Sequence, residues 1–320
     1  MGGFYAGGEP LAEVERNGLV ESRHRGSVVL LGPDGTVVES VGDIEGPIYG
    51  RSSNKPLQAV GLRRAGLAFG PDHLALVCGS HRGQPFHIDA VQAMLASGGL
   101  GVDALGCYPD YPLSEEARFD VVRAGASRSP VYMNCSGKHA GMLVTCVHNG
   151  WPTAGYLAAD HPLQQGLAAT FADLVGEPVA RTGVDGCGAP VFAASLTGLA
   201  TAFLRLVDAE PETDERAVAD AMRVHPEMVS GTDADGVDTH LMRAVPGLIA
   251  KSGAEGLMAM AAPELGAVVI KIDDGAMRPL RPVLVSALAR LGVEKEWLEP
   301  FATLPVTGGA DTVGAVTSVW

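Results

Sequence analysis

Strand-like stretches lie near both ends of this 320-residue chain, and a long helical region separates them. Residues 27–31 and 36–41 flank Asp34-Gly35, a pair that favours a tight β-hairpin turn. Residues 256–262 and 267–272 have the same strand-like character near the other end. This order of elements fits one antiparallel sheet that both ends of the chain build together.

The middle of the chain, from about residue 56 to residue 245, has the three-to-four-residue apolar spacing of helices. One helix is predicted to begin near Ser52, because a serine at the start and Pro56 in the first turn are typical of helix N-termini. Other helices are predicted over residues 86–97, 139–148, 161–175, 191–207, 213–224 and 283–291. We therefore expect an α/β (α+β) chain with a single domain over residues 1–320. Its sheet lobe would comprise about 1–50 and 246–320, and its inserted helical lobe about 51–245.

The composition excludes several classes of protein. Hydrophobic residues make up 47% of the chain, which is enough for a large core and excludes a disordered chain. A formal net charge of −14 repels phosphate backbones, so we expect no nucleic-acid partner. The uncharged stretch 186–204 is interrupted by proline, glycine, serine and threonine, so a buried core helix is favoured over a membrane span. The N-terminus lacks a basic segment followed by an apolar run, and we expect a cytoplasmic protein with reduced cysteines.

Ser52-x-x-Lys55 is the first pattern that indicates catalysis. At a helix start, residues three positions apart share a face, so the amine would lie within reach of the hydroxyl. Serine becomes a good nucleophile only when a neighbouring group takes its proton, and a buried lysine can do this because burial disfavours its charged form. The same pattern also fits a capping serine followed by a surface lysine.

A second pattern, Lys251-Ser252-Gly253, precedes a predicted strand about 200 residues later. S-x-x-K followed by K-[ST]-G gives two of the three motifs of serine β-lactamases and penicillin-binding proteins. The third motif, S-D-N, is absent, and Tyr132-Met133-Asn134 matches only a short Y-x-N variant. The two patterns together predict a fold like that of these enzymes.

Cys135, Lys138, His139, Asp185 and Cys187 form a third group. Two thiols, an imidazole and a carboxylate could assemble a tetrahedral zinc site, although two buried free cysteines would give the same sequence. The segment 78–83, which contains Ser80-His81, fits a polar turn as well as part of a catalytic site. The segment 233–236 resembles a calcium loop, but its glycine is misplaced and no glutamate closes it, so a solvated turn is predicted.

Six segments in order resemble the asparaginase II family, the zinc-containing L-asparaginases with a serine β-lactamase-like fold. They are RSSNKPLQA, CGSHRGQPFH, NCSGKHAGML, DGCGAP, HPEMVSG and KSGAEG, and the resemblance covers roughly residues 18–282. It implies hydrolysis of L-asparagine to L-aspartate and ammonia by a homodimeric amidohydrolase.

The resemblance also implies roles for individual residues. Two Ser-Lys tandems are implied, Ser52 with Lys55 and Ser80 with Lys251. The resemblance leaves open which serine forms the acyl-enzyme. The backbone N–H groups of Ser52 and Ala254 would hold the oxyanion.

The implied ligands of Zn²⁺ are Cys135, Lys138 and Cys187, with water in the fourth position. The implied substrate contacts are Arg51 for the α-carboxylate and Asp185 for the α-ammonium, together with His81 and Lys138. Two positions depart from the family pattern: Arg82 stands where a small or amide residue is usual, and Gln84 where glutamate is usual.

Two other functions fit part of these data. A penicillin-recognising serine acyl-transferase or β-lactamase would share Ser52, Lys55 and Lys251 but would leave Cys135 and Cys187 without a role. A non-catalytic amino-acid binder on the same fold would bind asparagine without turning it over.

Overall fold

The computed structural model describes residues 3–320, which form eleven strands and twelve α-helices. The strands are β1 (Glu9–Arg16), β2 (Leu19–Leu31), β3 (Val37–Val41), β4 (Ile48–Tyr49), β5 (Arg181–Val184), β6 (Pro190–Ala194), β7 (Ile249–Gly253), β8 (Leu257–Ala262), β9 (Gly266–Ile272), β10 (Leu304–Gly308) and β11 (Asp311–Ser318). The helices are α1 (Lys55–Arg64), α2 (Pro71–Cys78), α3 (Pro85–Ser97), α4 (Glu115–Arg123), α5 (Ser136–His148), α6 (Pro162–Val175), α7 (Leu196–Asp208), α8 (Asp214–Val224), α9 (Pro226–Ser230), α10 (Val237–Ala244), α11 (Leu280–Arg290) and α12 (Lys295–Ala302).

The larger sheet has eight strands and joins the two ends of the chain. Its order is β10-β11-β1-β2-β9-β8-β7, with β3 paired to β2, and all its pairs are antiparallel. The pairing of β2 with β9 sets Val29 opposite Val269 and thus brings together residues far apart in the sequence. The expected architecture, an antiparallel sheet from both ends with an inserted helical lobe, is confirmed.

The sheet core is apolar on both faces because helices cover it. Every residue of β8 is buried, and α7 packs against β2, β8 and β9. Helix α7 begins where Ser195 caps it: the Ser195 Oγ accepts a hydrogen bond from the Gly198 N–H at 2.8 Å. Nearer the C-terminus, α11 packs against β1, β9 and β11.

Most predicted elements are present, and one prediction is wrong in part. The hairpin, the strands near 256–272 and five of the six numbered helices occur within a few residues of their expected bounds. Residues 190–194, however, form β6 and not the first turn of a helix, and they pair with β4 and β5 in a separate three-stranded sheet. In residues 3–320, no helix has the length and apolarity needed to cross a bilayer.

Candidate active site

Ser52 and Ser80 line one cavity of about 820 Å³. Ser52 lies in the short 3₁₀ turn Arg51–Asn54 that leads into α1, and Ser80 follows the end of α2. The end of β7 contributes Ser252 and Ala254 to the same wall. The Ser53 hydroxyl fixes the turn to this strand by donating to the Lys251 carbonyl at 2.8 Å. Elements distant in the sequence therefore meet around two hydroxyl groups.

Lys55 lies beneath these hydroxyls and is 1% exposed. Its Nζ donates to the Ser80 Oγ at 3.0 Å and to the Gly79 carbonyl at 2.5 Å. Burial lowers the pKa of Lys55, the charge of Cys135 opposes this, and the charges of Lys251 and Lys138 act with burial, so that the net pKa is lowered. A neutral amine in this position has a lone pair that can accept the proton of a serine hydroxyl.

Lys251 has a different environment, because it is ion-paired with a carboxylate that the sequence analysis did not identify. Its Nζ lies 2.8 Å from the Asp238 Oδ2, and both side chains are almost wholly buried. The Asp238 carboxylate also accepts from the Ser252 hydroxyl at 2.9 Å and from the Ser252 N–H at 3.1 Å. The ion pair holds the Lys251 Nζ beside Ser252 at the end of β7.

The two lysines therefore relate to the serines differently from the implied tandems. Ser80 is hydrogen-bonded to Lys55, and in the described residues neither Ser52 with Lys55 nor Ser80 with Lys251 forms a direct side-chain hydrogen bond. The structure thus shows one amine within reach of a cavity hydroxyl and a second amine held by Asp238. The implied pairings stay predictions.

Cys135, Lys138 and Cys187 meet in the interior beside Lys55. The Lys138 Nζ lies 3.3 Å from the Cys187 Sγ, and the Cys135 Sγ lies 3.4 Å from the Asn134 Oδ1. The hydrogen bond from Cys187 holds the pKa of Cys135 well below its usual range, and the charges of Lys55 and Lys138 act in the same direction. Burial alone would lower the pKa of Lys138, but the charges of Cys187 and Cys135 raise it.

This donor set would fit Zn²⁺ once both thiols and the amine have lost a proton, since thiolate sulfur and neutral nitrogen are ligands that the ion accepts. Within residues 3–320, no three His, Cys, Asp or Glu side chains are grouped to hold a metal ion. A metal at the two thiols would therefore need Lys138 as its third protein ligand. Lys138 would have to lose a proton first, because an ammonium has no lone pair.

Arg51 and Asp185 are paired with each other. The Arg51 Nε donates to the Asp185 Oδ1 at 2.7 Å, and neither residue lines the cavity. Burial raises the pKa of Asp185, but the hydrogen bond from Arg51, the charges of Lys138 and Arg51 and the Gly186 N–H together outweigh burial, and the net pKa is lowered. Arg51 also has a left-handed backbone, with φ of 46°, which is costly for a residue with a Cβ.

His81 is fully buried and does not line the cavity. Its Nδ1 accepts from the Gly83 N–H at 3.1 Å, so its Nε2 donates to the Ser136 Oγ at 2.7 Å. Burial lowers the pKa of His81 well below its usual range, which keeps the ring neutral. In this position the ring fixes Ser136, the first residue of α5, and so helps to place the adjacent Cys135.

Arg82 and Gln84, the two departures from the family pattern, hold the segment 231–236 over the cavity. Arg82 is ion-paired with Asp233 and, at 3.0 Å, with Asp235, which itself lines the cavity. The Gln84 amide bonds Thr232 twice, through its Nε2 and its Oε1. The segment that the sequence reads as a solvated turn is thus tied to the loop that carries Ser80.

Asp238 is the functional residue that sequence analysis missed. It lies just after this segment, on the first turn of α10, where an aspartate is usually read as a solvated or helix-capping residue. It also lies outside all six segments that carry the family resemblance. Its pairing with Lys251 becomes visible only when α10 packs against β7.

Comparison with known proteins gives one family and several distant structures. Residues 12–318 match the model of the family described as L-asparaginase II. No curated protein matches the chain. Among solved structures, a β-lactamase from Mycobacterium bovis is similar at 16% identity, with 83% of this chain and 94% of that chain covered and a TM-score of 0.42. A β-lactamase from Desulfarculus baarsii has 18% identity, coverage of 86% and 92%, and a TM-score of 0.38.

Proposed function

The chain belongs to the L-asparaginase II family, and we propose that it is an amidohydrolase that converts L-asparagine and water to L-aspartate and ammonia. The observation that carries this proposal is the contact between a buried lysine and a cavity serine. Lys55 has a lowered pKa and lies 3.0 Å from the Ser80 Oγ, in the cavity that Ser52 also lines. A hydroxyl nucleophile and an amine whose charged form is disfavoured, at that distance, are the parts that covalent amide hydrolysis needs.

In the proposed reaction, one of the two serine hydroxyls attacks the carboxamide carbon and Lys55 takes its proton. The carbon–nitrogen bond then breaks, the nitrogen receives the proton and ammonia leaves. Water attacks the resulting ester carbon, so that the carboxylate is released and the serine hydroxyl is restored. The backbone N–H groups of Ser52 and Ala254 are proposed to stabilise the oxyanion in both steps.

Lys251 has an electrostatic role in this proposal. Its Nζ, ion-paired with Asp238, would stabilise the negative charge that the transition state gains beside the cavity. A zinc ion bound by Cys135, Lys138 and Cys187 would act as a Lewis acid that polarises nearby groups. The chain's own contribution there is to hold two sulfur atoms and one amine close together.

The experiment that tests this function is ammonia release from L-asparagine by the purified protein, compared with Ser52→Ala, Ser80→Ala and Lys55→Met. If the three groups act as a unit, each substitution should lower kcat by at least about 1,000-fold and the double serine variant should be little worse than either single one. Ser97→Ala and Lys295→Met, which lie outside the cavity, are the matched controls and should keep full activity. An inactive but folded wild type would refute the proposal, and an active Lys55→Met would remove the lysine base from it.

A further inference from the structure

The cavity has a guanidinium group beside its serines to which the implied roles give no function. Arg82 follows Ser80 by two residues, and both line the cavity. Two residues of extended chain span at most about 7 Å, so the Cα atoms of this pair lie within that distance. The backbone here is fixed at both residues, because the Ser80 N–H donates to the Val229 carbonyl and the Ser114 N–H donates to the Arg82 carbonyl, each at 2.8 Å. Arg82 is therefore held close to a proposed nucleophile.

The cation that the resemblance implies for the α-carboxylate lies outside this cavity wall. Arg51 does not line the cavity, and its Nε is already paired with the Asp185 carboxylate at 2.7 Å. Other arginines of the wall belong to β1 and to the segment around α11; they are Arg16, Arg278 and Arg281. Among the arginines of the wall, Arg82 is therefore the one whose position in the chain fixes it beside a serine.

Two carboxylates of the segment 231–236 are paired with Arg82, and they differ in exposure. The Arg82 Nε is ion-paired with the Asp233 Oδ1, and both of these atoms are buried. The Arg82 Nη2 donates to the Asp235 Oδ2 at 3.0 Å, but the Asp235 side chain is 80% exposed. An exposed ion pair contributes little, because water solvates both charges when they separate. A ligand can therefore displace Asp235, whereas Asp233 keeps the guanidinium in place.

The guanidinium of Arg82 also has donor capacity that is not used. Its Nη2 donates to Asp235 and to the Leu113 carbonyl at 3.2 Å, but its Nη1 makes no hydrogen bond with residues 3–320 and is accessible to solvent. A carboxylate in the place of Asp235 would accept from Nη1 and Nη2 together. This bidentate arrangement is the one in which a guanidinium binds a carboxylate best. The Asp235 carboxylate thus stands where a ligand carboxylate would bind more completely.

We propose that Arg82 binds the α-carboxylate of the substrate in exchange for Asp235. This inference rests on the proposed amide hydrolysis, and it assigns specificity for an α-carboxylate to Arg82 and not to Arg51. Three C–C bonds of about 1.5 Å separate the carboxamide carbon of asparagine from its α-carboxylate carbon. An asparagine with its carboxamide at Ser80 is therefore long enough to reach a guanidinium two residues away. Asp233 has the opposite effect from Asp235, because it orients Arg82 toward the ligand.

The first test compares L-asparagine with β-alaninamide, which has the same carboxamide and amine but lacks the α-carboxylate. Arg82→Gln should lower the asparagine-to-β-alaninamide ratio of kcat/KM at least about tenfold, because only asparagine makes the charge-assisted contact that is lost. This ratio does not depend on the folded fraction. Arg63→Gln, which breaks a partly buried ion pair with Asp214 outside the cavity, is the control and should leave the ratio unchanged. An unchanged ratio in Arg82→Gln would overturn the inference, even if asparagine is hydrolysed.

The second test uses the two aspartates, for which the exchange predicts opposite effects. Titration calorimetry with asparagine is done in a Ser52→Ala/Ser80→Ala background, in which the ligand is not cleaved. Asp235→Asn removes the competing carboxylate and should lower Kd about threefold, whereas Asp233→Asn loosens the guanidinium and should raise Kd at least about fivefold. Effects of the same sign would overturn the exchange.

The two tests also separate this inference from the proposed function. If neither compound releases ammonia but Kd for asparagine rises in Arg82→Gln and follows the predicted signs in the two aspartate variants, the proposed function fails and the carboxylate site stands. If ammonia is released from asparagine but Kd is the same in all three variants, the proposed function stands and the carboxylate site fails. If neither ammonia release nor a change in Kd is found, both fail.

Discussion

Replacement of Asp238 by asparagine tests whether the buried pair with Lys251 is held together by charge. Both side chains are at most 1% exposed, and their charged atoms are 2.8 Å apart. Loss of one partner of such a pair leaves the other charge buried and uncompensated, which costs about 3–5 kcal/mol. Asparagine keeps an oxygen that can accept from the Ser252 N–H. We therefore expect the lower end, a loss of about 3 kcal/mol in the free energy of unfolding.

The assay is urea unfolding of the wild type, Asp238→Asn, Lys251→Met and the double variant. The double variant has neither charge. Its loss in the free energy of unfolding should therefore be at least about 2 kcal/mol smaller than the sum of the losses in the two single variants. Asp120→Asn is the control, because its pair with Arg123 is exposed on α4 and should contribute less than about 0.5 kcal/mol. A loss below about 1 kcal/mol in Asp238→Asn, or additive effects of the two substitutions, would refute the reasoning.

Three further predictions concern pH, metal and a helix cap. Burial lowers the pKa of His87 to about 4. Between about pH 6.5 and 4, the unfolded chain therefore binds a proton at this residue that the folded chain does not bind. About 3 kcal/mol in the free energy of unfolding should be lost as the pH falls through this window. His87→Gln should flatten that part of the stability-against-pH curve, and an unchanged curve would contradict the assignment. Elemental analysis should find zinc in the purified wild type and in Cys146→Ser but not in Cys135→Ser; equal zinc in both variants would exclude the proposed site. Ser195→Ala removes the cap of α7 and should cost about 1 kcal/mol in urea unfolding, while Ser195→Thr, which keeps the hydroxyl, should cost less.

The fold could be predicted to the extent that its signals are local. The hairpin around Asp34-Gly35 and the buried strands β8 and β9 follow from turn chemistry and from continuous apolar runs. The helix prediction for residues 191–207 is wrong at its start, where residues 190–194 form a strand. In so short and fully buried a run, the spacing of apolar residues does not distinguish a strand from a helix. The edge strand β10 and its neighbour β11 carry few buried residues, so the pairing of β11 with β1 and with β10 depends on the register of the folded sheet and not on their own composition.

The candidate site, like the fold, could be predicted only in part from the sequence. Ser52 and Ser80 are named by sequence motifs, and the structure places both on one cavity. Their partners were less predictable, because a hydrogen-bond partner is a property of tertiary packing. Lys55 lies three residues from Ser52 but bonds Ser80, and Lys251 bonds a carboxylate on α10. The size of the cavity could not be predicted at all, since it depends on how α11 lies against the far strands.

The lysines connect sequence and chemistry most directly. The chain has five lysines against 18 arginines, and three of the five, Lys55, Lys138 and Lys251, are among its largest fully buried side chains. Arginine would stay charged in such positions, whereas lysine can lose its proton. Lys251 is ion-paired with Asp238, and the charges of the thiols raise the pKa of Lys138. Burial lowers the pKa of Lys55 despite the opposing charge of Cys135, so Lys55 is the one of the three amines that the structure favours as a base.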